Sequence, residues 1–152
     1  MTFPVSITEF ESFLPHRPPA IWIHQVLDAG LDSGSCAVLY SENAPFAKNN
    51  SLLESAYLEW IAQSCGYVSA AQFKFGILTQ GSLKDAFLAA VKKFEIFDIP
   101  QNLKNGDIFE IHVRSTHKMG PVTVVEGKVY FAKDNEKKLL AQASLKLFGI
   151  TK

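Results

Sequence analysis

The chain has 152 residues, 15 Lys and Arg against 15 Asp and Glu for a formal net charge of zero, 47% apolar residues and 20% charged ones. This balance excludes disorder and offers no basic footprint for nucleic acid or an anionic membrane; with no linker-like stretch, one compact domain over residues 1–152 is expected. No run approaches the roughly 18 apolar residues that span a bilayer, and Met1-Thr2-Phe3-Pro4-Val5-Ser6 lacks the basic start of a secretory signal, so a cytoplasmic location is expected.

Ser6-Ile7-Thr8-Glu9 has the Ser-x-x-Glu capping pattern, with Phe10, Phe13 and Leu14 on one helical face and Pro15 as a stop, which predicts a short lid-like helix. Residues 20–27 are rich in β-formers and, after a Gly/Ser turn, so is Cys36-Ala37-Val38-Leu39-Tyr40, which together predict a hairpin. His24 is expected to be a packed residue of that first strand. Ser51-Leu52-Leu53-Glu54 repeats the capping pattern and is expected to open a long helix reaching about Phe73. Four segments with period-two alternation follow, around Phe94 and Ile96, Phe109 to Val113, Val125 to Phe131, and Leu139 to Leu147. Turns are expected at Asn105-Gly106-Asp107, Met119-Gly120-Pro121 and Asp134-Asn135. Cys36 and Cys65 lack metal-ligand spacing and read as buried free thiols; no metal site is expected.

A curved antiparallel sheet with one dry face needs an apolar cover, and only the long helix is long and apolar enough to supply it. The expected fold is therefore α+β: a hot-dog arrangement in which about six strands wrap around one helix, with sheet edges paired in a dimer. Glu59 stands in the middle of that apolar helix, within Leu52-Leu53-Glu54-Ser55-Ala56-Tyr57-Leu58-Glu59-Trp60-Ile61-Ala62-Gln63. Its helical neighbours suggest a carboxylate directed into a core, which costs several kcal/mol unless it is paired. Glu59 is thus the first candidate for function, against the plainer reading of a structural carboxylate bonded to Gln63.

Leu14-Pro15-His16-Arg17-Pro18-Pro19, Asn43-Ala44-Pro45-Phe46, Leu58-Glu59-Trp60-Ile61-Ala62-Gln63 and Lys104-Asn105-Gly106-Asp107 resemble, in this order, motifs of the (3R)-hydroxyacyl-acyl carrier protein dehydratases. The resemblance covers nearly the whole chain and implies reversible dehydration of a 3-hydroxyacyl thioester. In that family the helix glutamate, here Glu59, works with a loop histidine in a Gly-His-Phe-Pro motif at the dimer interface. Between Phe46 and Glu59 this chain has no histidine, and the segment is several residues shorter than the family pattern.

Dehydration needs a base for the proton beside the carbonyl, an acid for the departing hydroxyl and donors for the enolate-like oxygen; it calls for no cofactor. The resemblance implies Glu59 as the group that orients hydroxyl or water, and His16, on the segment that lines the family's substrate tunnel, as the substitute acid/base. A structural role for His16 and Arg17 in pinning the N-terminal segment stands beside this. Phe46, Asn49, Asn50, Ser51, Leu52 and Trp60 are the candidate substrate-binding residues, with the amides of residues 51–53 as donors at the helix start. The turn reading for Asn49 and Asn50, and the core reading for Phe46, Tyr57 and Trp60, remain open. His112 is expected on the polar face and His117 on the apolar parity near a strand end. The implied partners are an acyl carrier protein or coenzyme A thioester and a second hot-dog subunit, in a homodimer or a hetero-dimer. Two alternatives are a hot-dog thioesterase, which activates water with a helix carboxylate and needs no histidine, and a non-catalytic acyl-binding subunit whose partner contributes the histidine.

Overall fold

The computed structural model describes residues 3–10, 21–77 and 83–151. In chain order it holds β1 (Val5–Ser6), a 3-10 turn (Ile7–Phe10), β2 (Gln25–Ala29), β3 (Ser33–Leu39), β4 (Ala47–Lys48), β5 (Ser51–Leu52), α1 (Ala56–Lys74), β6 (Leu83–Ile96), β7 (Ile108–Met119), β8 (Val122–Lys133) and β9 (Glu136–Thr151). Seven strands form one sheet in the order β1-β2-β3-β7-β8-β9-β6, antiparallel throughout, while β4 and β5 form a separate small hairpin.

The alternation read in the sequence sets the inner face. Phe109, Ile111 and Val113 on β7, Val125 and Val129 on β8, and Ala141, Ala143 and Leu145 on β9 are all buried. Opposite them α1 presents Tyr57, Trp60, Ile61, Ser64, Cys65 and Val68, also buried. Two glycines let the helix lie close: a Cβ on Gly127 would overlap the Ile61 side chain, and one on Gly34 would stand 2.6 Å from Val68 Cγ1. The turn residues behave as their types require. Gly106 (φ 95°), Gly120 (φ 59°) and the pair Asp134 (φ 54°) and Asn135 (φ 61°) all take left-handed backbone, which suits glycine and the Asx residues.

Several expectations are corrected. The long helix starts at Ala56, not Ser51; Ser51 lies in β5 and donates its hydroxyl to the Pro100 carbonyl at 2.7 Å, so no capping box forms with Glu54. Ser55 precedes the helix without a side-chain cap. The first long strand begins at Gln25, four residues after the described segment resumes, and His24 is exposed, not packed. The expected N-terminal helix is a 3-10 turn as far as Phe10, and its continuation through Phe13 and Leu14 falls outside the described residues. His117 is exposed, because a register shift between Ser115 and His117 breaks the parity on which an inward placement rested. The sheet has a seventh strand, the two-residue β1, too short to show any alternation.

The sheet ends at β6, fourteen residues paired only to β9 among the described residues. Its Val91, Phe94 and Ile96 lie opposite Leu145, Ala143 and Ala141, so they share the inner, apolar face. Val91 and Ile96 are nevertheless 42% and 38% exposed, and the next residue, Phe97, is 51% exposed. Open backbone and open apolar side chains coincide at this edge.

Candidate functional site

Glu59, Ala62, Gly66, Ser69 and Phe73 follow one another along α1 at spacings of three and four, and all are half-buried. They form the stripe of the helix least covered by its own sheet. Glu59 therefore does not enter the dry core: Trp60, Ile61 and Ser64 take the fully buried positions beside it, which turns Glu59 to the margin. Its Oε1 accepts a hydrogen bond of 3.0 Å from Gln63 Nε2, one turn along the helix. Gln63 is buried, and its Oε1 accepts from the Trp22 backbone N–H at 2.8 Å.

Ahead of Glu59, Ala56 N–H donates to the Leu53 carbonyl and Glu59 N–H to the Ser55 carbonyl. The amides of Tyr57 and Leu58, between them, have no acceptor among the described residues, as the first turn of a helix leaves them. These are the free donors at the helix start, five residues beyond the expected position. Tyr57 donates its hydroxyl to the Asp98 carbonyl at 2.9 Å; burial, with the Asp98 charge adding to it, pushes this hydroxyl above its usual range and keeps it protonated.

Phe46, Ser51 and Leu52 are buried, and Phe46 packs edge-on against Trp60 at 5.1 Å between ring centroids. Trp60 is fully buried, also touching Tyr57 (5.7 Å) and Phe109 (5.0 Å), and its indole N–H has no partner among the described residues. Asn49 (φ 51°) and Asn50 (φ 58°) are exposed and make the two-residue turn of the β4–β5 hairpin, a geometry asparagine tolerates. The segment 97–103, the first part of the link from β6 to β7, holds this hairpin down. Leu103 N–H donates to the Asn50 carbonyl at 2.8 Å, and Gln101 Nε2 donates to Ser51 Oγ at 3.2 Å. Where the resembled family carries a loop histidine, this chain has a short, strapped hairpin.

His16 lies outside the described residues. His24 and His117 are exposed, and His112 is on the outer face, 3.2 Å from Glu110, which also receives Lys137 at 3.0 Å. No described histidine is bonded to Glu59. Among the described residues, no three His, Cys, Asp or Glu side chains gather as a metal ion would need. A shallow concavity of about 400 Å³ opens between Asp28, Ser35, His112, Arg114, Glu126 and Lys128, where Arg114 pairs with Glu126 and His112 with Glu110; none of the helix-stripe residues lines it. Gln63 was expected as a hydrogen-bond partner of Glu59, and the structure has that bond; the Trp22 amide was not expected. Gln63 was visible four residues after Glu59, whereas a backbone amide from a distant segment leaves no mark in the sequence.

Solved structures share this architecture. One is the dehydratase heterocomplex ApeI:P from Xenorhabdus doucetiae, at 18% identity over 100% of this chain and 94% of that chain, with a TM-score of 0.72. Another is a hypothetical thioesterase with coenzyme A from Streptococcus pneumoniae TIGR4, at 10% identity over 97% and 98% of the two chains, TM-score 0.63. A third is an acyl-CoA hydrolase from Staphylococcus aureus in complex with coenzyme A, at 12% identity over 81% and 68%, TM-score 0.59. These likenesses establish the hot-dog fold. No helix among the described residues is long and apolar enough to cross a membrane, and no curated protein matches the chain. The family model for ApeP dehydratase matches residues 8–152, nearly the full length, and the chain belongs to this ApeP-like dehydratase family.

Proposed function

We propose that the chain is a subunit of an enzyme that reversibly dehydrates a 3-hydroxyacyl thioester carried on acyl carrier protein or coenzyme A, with Glu59 holding the departing hydroxyl or the incoming water. The observation that carries this reading is the Glu59 carboxylate itself: half-buried on the least covered stripe of α1, bonded through one oxygen among the described residues, and directly after two helix amides that have no acceptor among those residues. In the dehydration direction a base removes the proton beside the thioester carbonyl, the carbonyl oxygen takes up negative charge, and the hydroxyl leaves with a proton. The Tyr57 and Leu58 amides suit the carbonyl oxygen, and Glu59 suits the hydroxyl. The remaining proton carrier is a histidine. His16 is the candidate within the chain; the other is a histidine of a related hot-dog subunit.

Pairing with such a subunit is supported by the open edge of β6 and its exposed inner residues Val91 and Ile96, since a second sheet continuing from β6 would satisfy the backbone and cover the apolar side chains together. The strapped β4–β5 hairpin, which has no histidine to offer, favours a hetero-dimer over a homodimer. The test is to follow a short 3-hydroxyacyl thioester with the chain alone and with a histidine-bearing relative of the same pathway. Appearance of the conjugated enoyl product, with the thioester intact, is the expected result. Release of free thiol in place of enoyl product would overturn dehydration in favour of the second reading, hydrolysis, which the lack of a described histidine at Glu59 would suit.

A further inference from the structure

We infer that the Tyr57 side chain is a positioning residue for the helix-start amides, standing in for the cap that α1 lacks; this rests on the role proposed above for those amides. Ser55 occupies the capping position, and its carbonyl accepts from Glu59 N–H at 3.2 Å. A capping side chain bonds the second or third amide of its helix, which here are those of Tyr57 and Leu58. Ser55 makes no such bond: its backbone is already helical (φ −69°, ψ −13°), whereas a capping residue takes an extended conformation. The two amides are thereby left for a ligand, and the first turn goes without the restraint that a cap supplies.

Tyr57 supplies a restraint of another kind. It is 1% exposed, and its hydroxyl donates to the Asp98 carbonyl at 2.9 Å. Asp98 is anchored on β9: Phe97 N–H and Asp98 N–H both donate to the Leu140 carbonyl, at 2.7 and 3.3 Å, and the Asp98 carboxylate accepts from Lys138 Nζ at 2.7 Å. The Tyr57 ring also packs on Trp60, 5.7 Å between centroids. Residue 57 is thus tied to the sheet through its side chain while its own N–H stays open. The same link restrains the hairpin ahead of the helix, where the Pro100 carbonyl accepts from Ser51 and Leu103 N–H donates to Asn50. Donors whose direction is set before the carbonyl oxygen gains charge need no reorganisation when it does, and this is the source of their effect on rate.

The test uses the assembly that turns over the thioester. Tyr57→Phe removes one oxygen and keeps the ring. Its kcat is expected to fall about tenfold with KM within about twofold, less than the about hundredfold loss on deleting such a donor, because the amides are loosened and not removed. The second readout is the infrared band of a butyryl thioester labelled with ¹³C at the carbonyl, on the carrier that supports turnover; this chain has no 3-hydroxyl and is not dehydrated. In the parent the band is expected at lower frequency when bound than when free, and in Tyr57→Phe to return at least halfway to the free position. Para-aminophenylalanine in place of Tyr57 keeps a donor toward Asp98 and is expected to restore both the band and most of kcat. A band that stays at the parent position in Tyr57→Phe would overturn the inference whether or not kcat falls, since a loss of kcat alone would mark the hydroxyl as merely structural. A parent band that does not move on binding would instead overturn the role of the amides, and the inference with it.

Discussion

Cys36 and Cys65 show how strongly the space between helix and sheet acts on a single side chain. Burial pushes both thiols up to about 12; a contact with Ser64 slightly offsets this at Cys36, and the neighbouring Cys36 adds to it at Cys65. An unfolded thiol ionises near about 8.5. A folded value above the unfolded one means that the unfolded chain releases its protons first, so their contribution is complete below about pH 8.5 and is lost as pH rises toward 12. Urea denaturation should therefore show stability falling over pH 8.5–10.5, and falling less steeply in a Cys36→Ala/Cys65→Ala variant; equal slopes would contradict the burial of the two thiols. The thiols' burial was legible from residue type and position. The placement of Glu59 was legible only to the nearest helical turn, because the chain shows that it lies on the helix but not which of the adjacent positions faces the sheet.

Among the elements, strands with one wet and one dry face were readable because packing enforces the alternation from end to end. The start of α1 was not, for a physical reason. Ser51-x-x-Glu54 is a competent capping pattern, yet its backbone pairs with β4 and its serine hydroxyl binds Pro100, a contact that arises only once the segment 97–103 meets the hairpin. Local propensity lost to a tertiary contact between residues some fifty positions apart. The β4–β5 hairpin escaped notice because strands of two residues carry no period. The helix–sheet contact gives a direct check. Gly127→Ala should destabilise the fold by about 1–3 kcal/mol, the usual cost of forcing a methyl group into a packed site. In an Ile61→Ala background, where the overlapping atoms are gone, urea titration should show most of that cost relieved. A cost unchanged by Ile61→Ala would show that the two elements do not meet there.

At the scale of the whole molecule, the sheet is finished on its inner face under α1 and unfinished at β6. The same chain carries a helix carboxylate without a described histidine beside it and an edge strand paired on one side only among the described residues, and one partner subunit would answer both. The family could be recognised from four short motifs in order, which together span most of the chain. The partner could not, because complementarity is a property of two surfaces and one sequence shows only one of them. The most direct measurement is the turnover of a 3-hydroxyacyl thioester by the complete assembly with Glu59→Gln in this chain, a change that keeps shape and removes the charge. The expected result is a fall in kcat of about a hundredfold or more, as for loss of an acid/base or charge-stabilising group; a kcat within about twofold of the parent, well inside the effect of any such group, would contradict the account.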